Sequence, residues 1–212
     1  MRKQLWQWPC VCISKLLEFS RPRELRPTSN NVWFLQTDAS YEPSSDGIFS
    51  GIGAVLFDPT GRPTQFFSKQ LTCDLLQSLN PSQKKTAIFA CEFWALFCAF
   101  HVWGDAISNA LVIYTDNNAV RDALITGHTN NVLTKRILVA TLGLDCEKQL
   151  TPWYARVPTD SNMADGPPRL KVEHLLSLGA CECELDVSSC WDAVLTLAVK
   201  CGEEQASISI PA

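Results

Sequence analysis

Charge is scarce in this chain: Lys, Arg, Asp and Glu make up 19% of 212 residues, against 46% apolar residues. That balance fits a chain that buries a core, and the length fits one domain with appendages. A bilayer-spanning run is lacking. The apolar stretch at residues 86–103, TAIFACEFWALFCAFHVW, is slightly too short and carries Glu92 and His101, which argues against a membrane segment. A signal-peptide cleavage pattern is also missing. The N-terminal MRKQLWQWPCVCISKLL has two leading positive charges, but Gln, Trp and Pro interrupt its apolar part and no small-residue site follows. No internal repeat is visible. The expectation is an intracellular protein, nuclear or cytoplasmic.

Cysteine is plentiful, with ten residues, but it has no regular spacing. Cys10, Cys12, Cys181, Cys183, Cys190 and Cys201 lie in the two ends, and Cys73, Cys91, Cys98 and Cys146 are scattered between them. A secreted disulfide framework usually belongs to a shorter chain with a weaker core, so reduced thiols in a reducing compartment are expected. His174, Cys181, Cys183 and Cys190 match no common zinc finger or ribbon spacing.

An excess of positive charge, the usual mark of a nucleic-acid binder, is absent: the net charge is −4. Its distribution is uneven. Residues 1–30 hold six Lys/Arg against two Glu, and residues 171–212 hold two Lys against seven Asp/Glu. Between them, residues 31–170 hold ten basic and thirteen acidic residues, a net of −3. Four of those acids on divalent metal would turn this balance mildly positive, so the acidity alone does not exclude a polyanionic substrate.

The chain divides into a basic, Pro-containing leader and linker (1–31), a central domain (32–170) and an acidic, Cys-containing tail (171–212) with no assigned role. Within the domain, VWFLQT (32–37) reads as a buried strand ending at Asp38, GIGAVLF (51–57) as a second and TQFFSK (64–69) as a third. DPTGRP between the last two has the Pro and Gly positions of a hairpin turn. NPSQ (80–83) opens the long apolar helix. LVIYT (111–115) is a fourth strand ending at Asp116, followed by a short helix begun by Asn and stopped by Gly127. Residues 131–148 form another helix, TPWYARV (151–157) a fifth strand, and a short helical turn lies near Asp165. One tail helix is expected around 191–200. Early strands joined by tight turns should be antiparallel, and those separated by helices parallel. The resulting fold class is α/β: a five-stranded mixed sheet, three antiparallel strands and then two parallel, with helices on both faces.

Glu92 is the anomaly in this scheme, because an isolated carboxylate on a buried helix costs several kcal/mol or more unless paired, protonated or metal-bound. Asp38 and Asp116 supply a context. Both stand where strands end, the place where open α/β sheets bind ligands, although a strand-end Asp is as often a cap or turn former. Asp165 follows the fifth strand. Four carboxylates converging from four elements would raise one another's pKa, and divalent Mg²⁺ with its preference for hard oxygen ligands would relieve them. Two such ions suit in-line attack on a phosphodiester.

The segments LQTDAS, GIGAVLF, ACEFWALFCAF, VIYTDNNAVRDALITG and WYARVPTDSNMADGPPR occur in the order of a ribonuclease H domain. Over residues 32–170 the chain resembles the ribonuclease H carried behind reverse transcriptases of retroelements, and the wording of the last two segments resembles that of DIRS-type elements. The resemblance implies that Asp38, Glu92, Asp116 and Asp165 are catalytic, metal-binding acids for two Mg²⁺ ions, which Mn²⁺ can replace. It also implies adjacent first and fourth strands, hydrolysis of the RNA strand of RNA–DNA hybrids, and a reverse transcriptase domain or subunit as partner. Integrases and transposases of this fold place their essential Glu last, and related proofreading exonucleases pair Asp and Glu on the first strand, where this chain has Ser40. A strand-transfer enzyme of transposase type is therefore the weaker rival.

The resemblance departs in the last loop. Many members carry a mobile His before the last Asp, associated with product release, whereas this chain has Arg156 and no His between 129 and 173. The final PPR differs from the usual PSR or LSR. No polymerase domain precedes residue 32, so a retroelement fragment or a gene derived from one is expected. A catalytically decayed or domesticated module that binds nucleic acid or protein is the alternative reading. Ser40, Asn117, Asn118, Arg156 and Arg169 flank the acids and are candidates for substrate phosphates or sugars, with turn formation, capping and surface charge as their plainer roles. Trp33, Trp94, Trp103 and Trp153 are read as core, and His128 as a surface residue.

Overall fold

The computed structural model describes residues 31–44, 47–79, 87–107 and 110–200. Strands β1 (Trp33–Ser44), β2 (Gly47–Phe57) and β3 (Pro63–Gln70) form an antiparallel meander. The expected turn between β2 and β3 is built by Asp58, whose Oδ1 accepts from the Thr60 hydroxyl and from the backbone N–H of Thr60 and Arg62. Gly61 supplies the positive φ of 83° that this turn needs.

A short helix α1 (Cys73–Leu79), which carries no sequence signature strong enough to expect, leads toward the long helix α2 (Ala87–Trp103). The expected helix opening at residues 80–83 lies outside the described residues. Then come β4 (Ala110–Thr115), α3 (Asn118–Thr126), α4 (Val132–Lys148) and β5 (Thr151–Arg156). Gly127 ends α3 at φ 64°, as its position suggests. Three 3-10 turns follow, Thr159–Ser161, Met163–Asp165 and Pro167–Arg169. The last described elements are α5 (Glu173–Ser177), β6 (Cys181–Glu182) and α6 (Val187–Lys200).

The sheet order is β5-β4-β1-β2-β3-β6, with β4 parallel to β1, β5 parallel to β4, and β6 parallel to β3. The mixed sheet is thus as expected, with one strand more. That strand is two residues long, too short for any alternation to show in the sequence.

Helix α2 lies on one face of the sheet against β1 and β2, and α4 and α6 close over its far side. Its apolarity all round follows from this double cover. Phe93, Trp94, Phe97 and Phe100 are all fully buried. The other face is covered by the 3-10 turns and α5, where Ala164, Leu175 and Ala180 meet Val55, Phe57 and Phe66 of the sheet. No helix among the described residues is long and apolar enough to cross a membrane.

Three expectations need correction. β1 does not end at Asp38 but runs to Ser44. Its parallel ladder with β4 stops at the Gln36–Tyr114 pair, while its antiparallel ladder with β2 continues, so Asp38 stands beyond one ladder and inside the other. Trp153 is not core but 72% exposed, because β5 is an edge strand and, among the described residues, nothing covers its outward position. The tail helix begins earlier, at Val187, and residues beyond 170 join the main core: Cys190, Trp191 and Val194 are buried there, with the Trp191 ring edge-on to Trp94 at 5.4 Å.

Candidate active site

Asp38, Glu92 and Asp116 arrive from three elements. β1 and β4 are neighbours in the sheet, so Asp38 and the residue after Thr115 emerge side by side, and α2 crosses the same end carrying Glu92. Each contributes a carboxylate oxygen to a group whose ligand atoms all lie within 4.8 Å of one another. Asp38 and Glu92 are each only 5% exposed. The donors are all hard oxygens, with no thiol or imidazole among them, which suits a divalent ion of the Mg²⁺ or Mn²⁺ type. The triad could hold such an ion.

Burial is the main force on these groups without metal. It pushes the Asp38 carboxyl up to about 8, with the nearby Asp116 and Glu92 charges adding to the rise. Burial pushes Glu92 up to about 7, against hydrogen bonds that favour its charged form. Those bonds come from the Asn117 side-chain N–H at 2.8 Å and, at a longer 3.4 Å, the Thr115 hydroxyl. Asp116 accepts from the Thr159 hydroxyl at 2.8 Å, which ties β4 to the first 3-10 turn. A cation among these oxygens would oppose the burial of Asp38 and Glu92 and favour their charged forms.

Asp165 is not part of the triad. Its carboxylate is turned toward Arg169, whose Nη1 donates to Asp165 Oδ1 at 2.6 Å and to the Asp165 carbonyl oxygen at 2.7 Å. The same Nη1 lies 3.7 Å from Asp38 Oδ2, and Arg169 Nε donates to Glu42 at 2.9 Å. Asp165 therefore meets the other acids through one guanidinium.

The turn that carries Arg169 is pressed onto the sheet. Pro167 and Pro168 are buried over Gly51 and Gly53 of β2; a Cβ on Gly53 would stand 2.5 Å from Pro167 Cβ, and one on Gly51 would overlap the Pro168 carbonyl. The Ser40 hydroxyl donates to the Pro168 carbonyl at 2.9 Å, and Ser68 donates to the Pro167 carbonyl at 2.6 Å. Gln36 accepts from the Met163 N–H at 2.7 Å, fixing the preceding turn. None of Ser68, Gln36, Thr159 or Gly51 was signalled in the sequence, because their role depends on a loop far along the chain. A Gly-x-Gly within a strand was the available hint of close backbone approach.

The other expected contact residues divide. Ser40 is buried and committed to the proline turn, and Arg169 is committed to acids, so neither faces outward freely. Asn117 is spent on capping and on Glu92. Asn118 and Arg156 are exposed near the acids and open to solvent. His128 is exposed, within 3.2 Å of the Asn130 side-chain oxygen.

Comparison with known proteins gives no match to any family model or curated sequence. Solved structures do match. LC11-RNase H1, isolated from compost by a metagenomic approach, superposes with a TM-score of 0.53 at 16% identity, over 69% of this chain and 99% of that one. The same protein in complex with an RNA/DNA hybrid gives 0.52 at 16%, over 68% and 99%. RNase H1 from the halophilic archaeon Halobacterium salinarum gives 0.51 at 16%, over 67% and 98%. At such low identity the likeness concerns the fold, and the fold of this chain is that of ribonuclease H.

Proposed function

We propose that this chain is a metal-dependent nuclease that hydrolyses the RNA strand of RNA–DNA hybrids, derived from a retroelement and working with a reverse transcriptase domain or subunit. The observation that carries the reading is the meeting of Asp38, Glu92 and Asp116 from three elements, with ligand atoms within 4.8 Å. The hybrid complex of LC11-RNase H1 supports the choice of substrate.

Asp38, Glu92, Asp116 and Asp165 would hold two divalent ions, Mg²⁺ or in its place Mn²⁺. Bound there, they supply an activated water and stabilisation of the leaving oxygen. The protein's own part is positioning. Asn117 and Thr115 orient Glu92, Thr159 orients Asp116, and Ser68 holds the proline turn that follows Asp165. Asn118 and Arg156 would meet the substrate backbone, since hybrids are recognised through shape, phosphates and 2′-hydroxyls rather than base edges.

The test is incubation of the purified chain with an end-labelled hybrid and Mg²⁺, beside Asp116→Asn. RNA cleavage by the parent and its loss in the variant is the expected outcome; equal cutting by both would assign the activity to a contaminant. The second reading, a decayed module that binds without cutting, is favoured by the absence of any His between 129 and 173. Hybrid binding with no cleavage in Mg²⁺ or Mn²⁺ would select it.

A further inference from the structure

The four acids are unequally available to a cation. Three of them converge on one another, while the fourth, Asp165, holds Arg169 at 2.6 Å. The same guanidinium nitrogen stands 3.7 Å from Asp38, the one acid that faces both groups. We propose that Arg169 is a built-in cation filling the space between Asp38 and Asp165, so that the chain takes one divalent ion readily and a second only by displacing this side chain. The proposal rests on the nuclease reading, since it concerns the same carboxylates.

The argument is geometric and electrostatic. The root of Arg169 cannot drift, because Pro167 and Pro168 are buried against the β2 glycines and two serine hydroxyls grip their carbonyls. Its tip is clamped from both sides, by Asp165 on one nitrogen and Glu42 on another. The side chain is partly open to solvent, 31% exposed, and so has a route outward. Charge decides the rest. Fully ionised, as an ion would require, the triad would carry three negative charges, and one divalent ion would leave a single one. The Asp165–Arg169 pair is already neutral. A second divalent ion beside Asp38 and Asp165 would meet a guanidinium at contact range, in a partly buried site where like charges are poorly screened. Binding there becomes an exchange of one cation for another.

Counting bound Mn²⁺ by titration calorimetry and by the electron paramagnetic resonance signal of the free ion tests this without reference to turnover. The parent chain should bind one ion well and a second at least about tenfold more weakly, and Arg169→Gln should tighten the second by about tenfold or more, since it removes a unit charge at contact range. Arg169→Lys, which keeps the charge, should stay close to the parent. Equal affinities for two ions in the parent, or a second affinity that Arg169→Gln leaves unchanged or weakens, would overturn the proposal. So would Arg169→Lys behaving like Arg169→Gln, which would make the effect one of turn geometry rather than charge. Absence of any bound ion in all three proteins would remove the metal reading and this proposal together, whereas one-ion binding indifferent to position 169 removes this proposal alone.

Discussion

The side-chain oxygen of Asn117 caps α3 by accepting from the N–H of Ala119 and Val120, while its nitrogen donates to Glu92. One amide thus joins a helix start to a candidate metal ligand on another helix. Two substitutions separate these roles. Asn117→Ala removes both, with a loss of about 0.5–2 kcal/mol from the cap. It should also weaken divalent-ion affinity by about 10–100-fold, as loss of a ligand's supporting partner does. Asn117→Ser keeps an acceptor suited to capping but has no N–H to reach Glu92, so its melting temperature should stay near the parent's while ion affinity falls as in the alanine variant. Thermal melting and Mn²⁺ titration of the pair check this, and parent-like ion binding by Asn117→Ser would contradict it. The acid at 116 and the cap at 117 were legible from the strand-end Asp followed by Asn. The donor half of Asn117 was not, because it depends on where α2 crosses the sheet.

At the scale of elements, β2 and the Pro167–Arg169 turn form one joint. The sequence suggested a strand at GIGAVLF and a last acid before GPPR, but not that the glycines and prolines fit each other. A Cβ on Gly53 would come within 2.5 Å of Pro167 Cβ and 2.7 Å of Pro168 Cδ. Neither proline can yield by changing rotamer in the way a flexible side chain would. Gly53→Ala should therefore cost about 1–3 kcal/mol, the usual penalty for forcing extra volume into a packed site. Denaturant unfolding measures it, and a midpoint equal to the parent's would mean that the turn is not seated there. The misread end of β1 has a nearer cause, a hairpin partner next along the chain. Local composition after Asp38 turns polar, yet β2 supplies a pairing partner out to Ser44. Helix α6 repeats the lesson, since its burial on Trp94 depends on a surface that α2 and α4 create together.

For the molecule as a whole, element order and the ordered set of acids were enough to expect the mixed sheet and a meeting of four acids, of which Asp38, Glu92 and Asp116 come together while Asp165 is turned to Arg169. Burial of Asp38 and Glu92 was implied only for the latter, by its apolar surroundings. Their joint burial gives the metal-free protein a stability that depends on pH with a definite sign. Each carboxyl is raised on folding, Asp38 from 3.8 to about 8 and Glu92 from 4.5 to about 7. Between those limits the folded chain binds more protons than the unfolded one, so stability is greatest near pH 4 and declines as pH rises toward 8. Asp58, held low by the Thr60 hydroxyl, titrates below this window and leaves the slope alone. The decline should amount to a few kcal/mol in order of magnitude. In chelator, the melting temperature should therefore fall from pH 5 to pH 8. Asp38→Asn should flatten that fall, because the variant has no charge to desolvate at this position. Millimolar Mg²⁺ should flatten it as well, since an ion bound only by the folded, ionised cluster adds stability at the end of the range where the acids have lost their protons. A chelated parent protein whose melting temperature holds level or climbs over this range would mean that the two carboxyls are not desolvated together, and the case for a cation among them would lose its electrostatic basis.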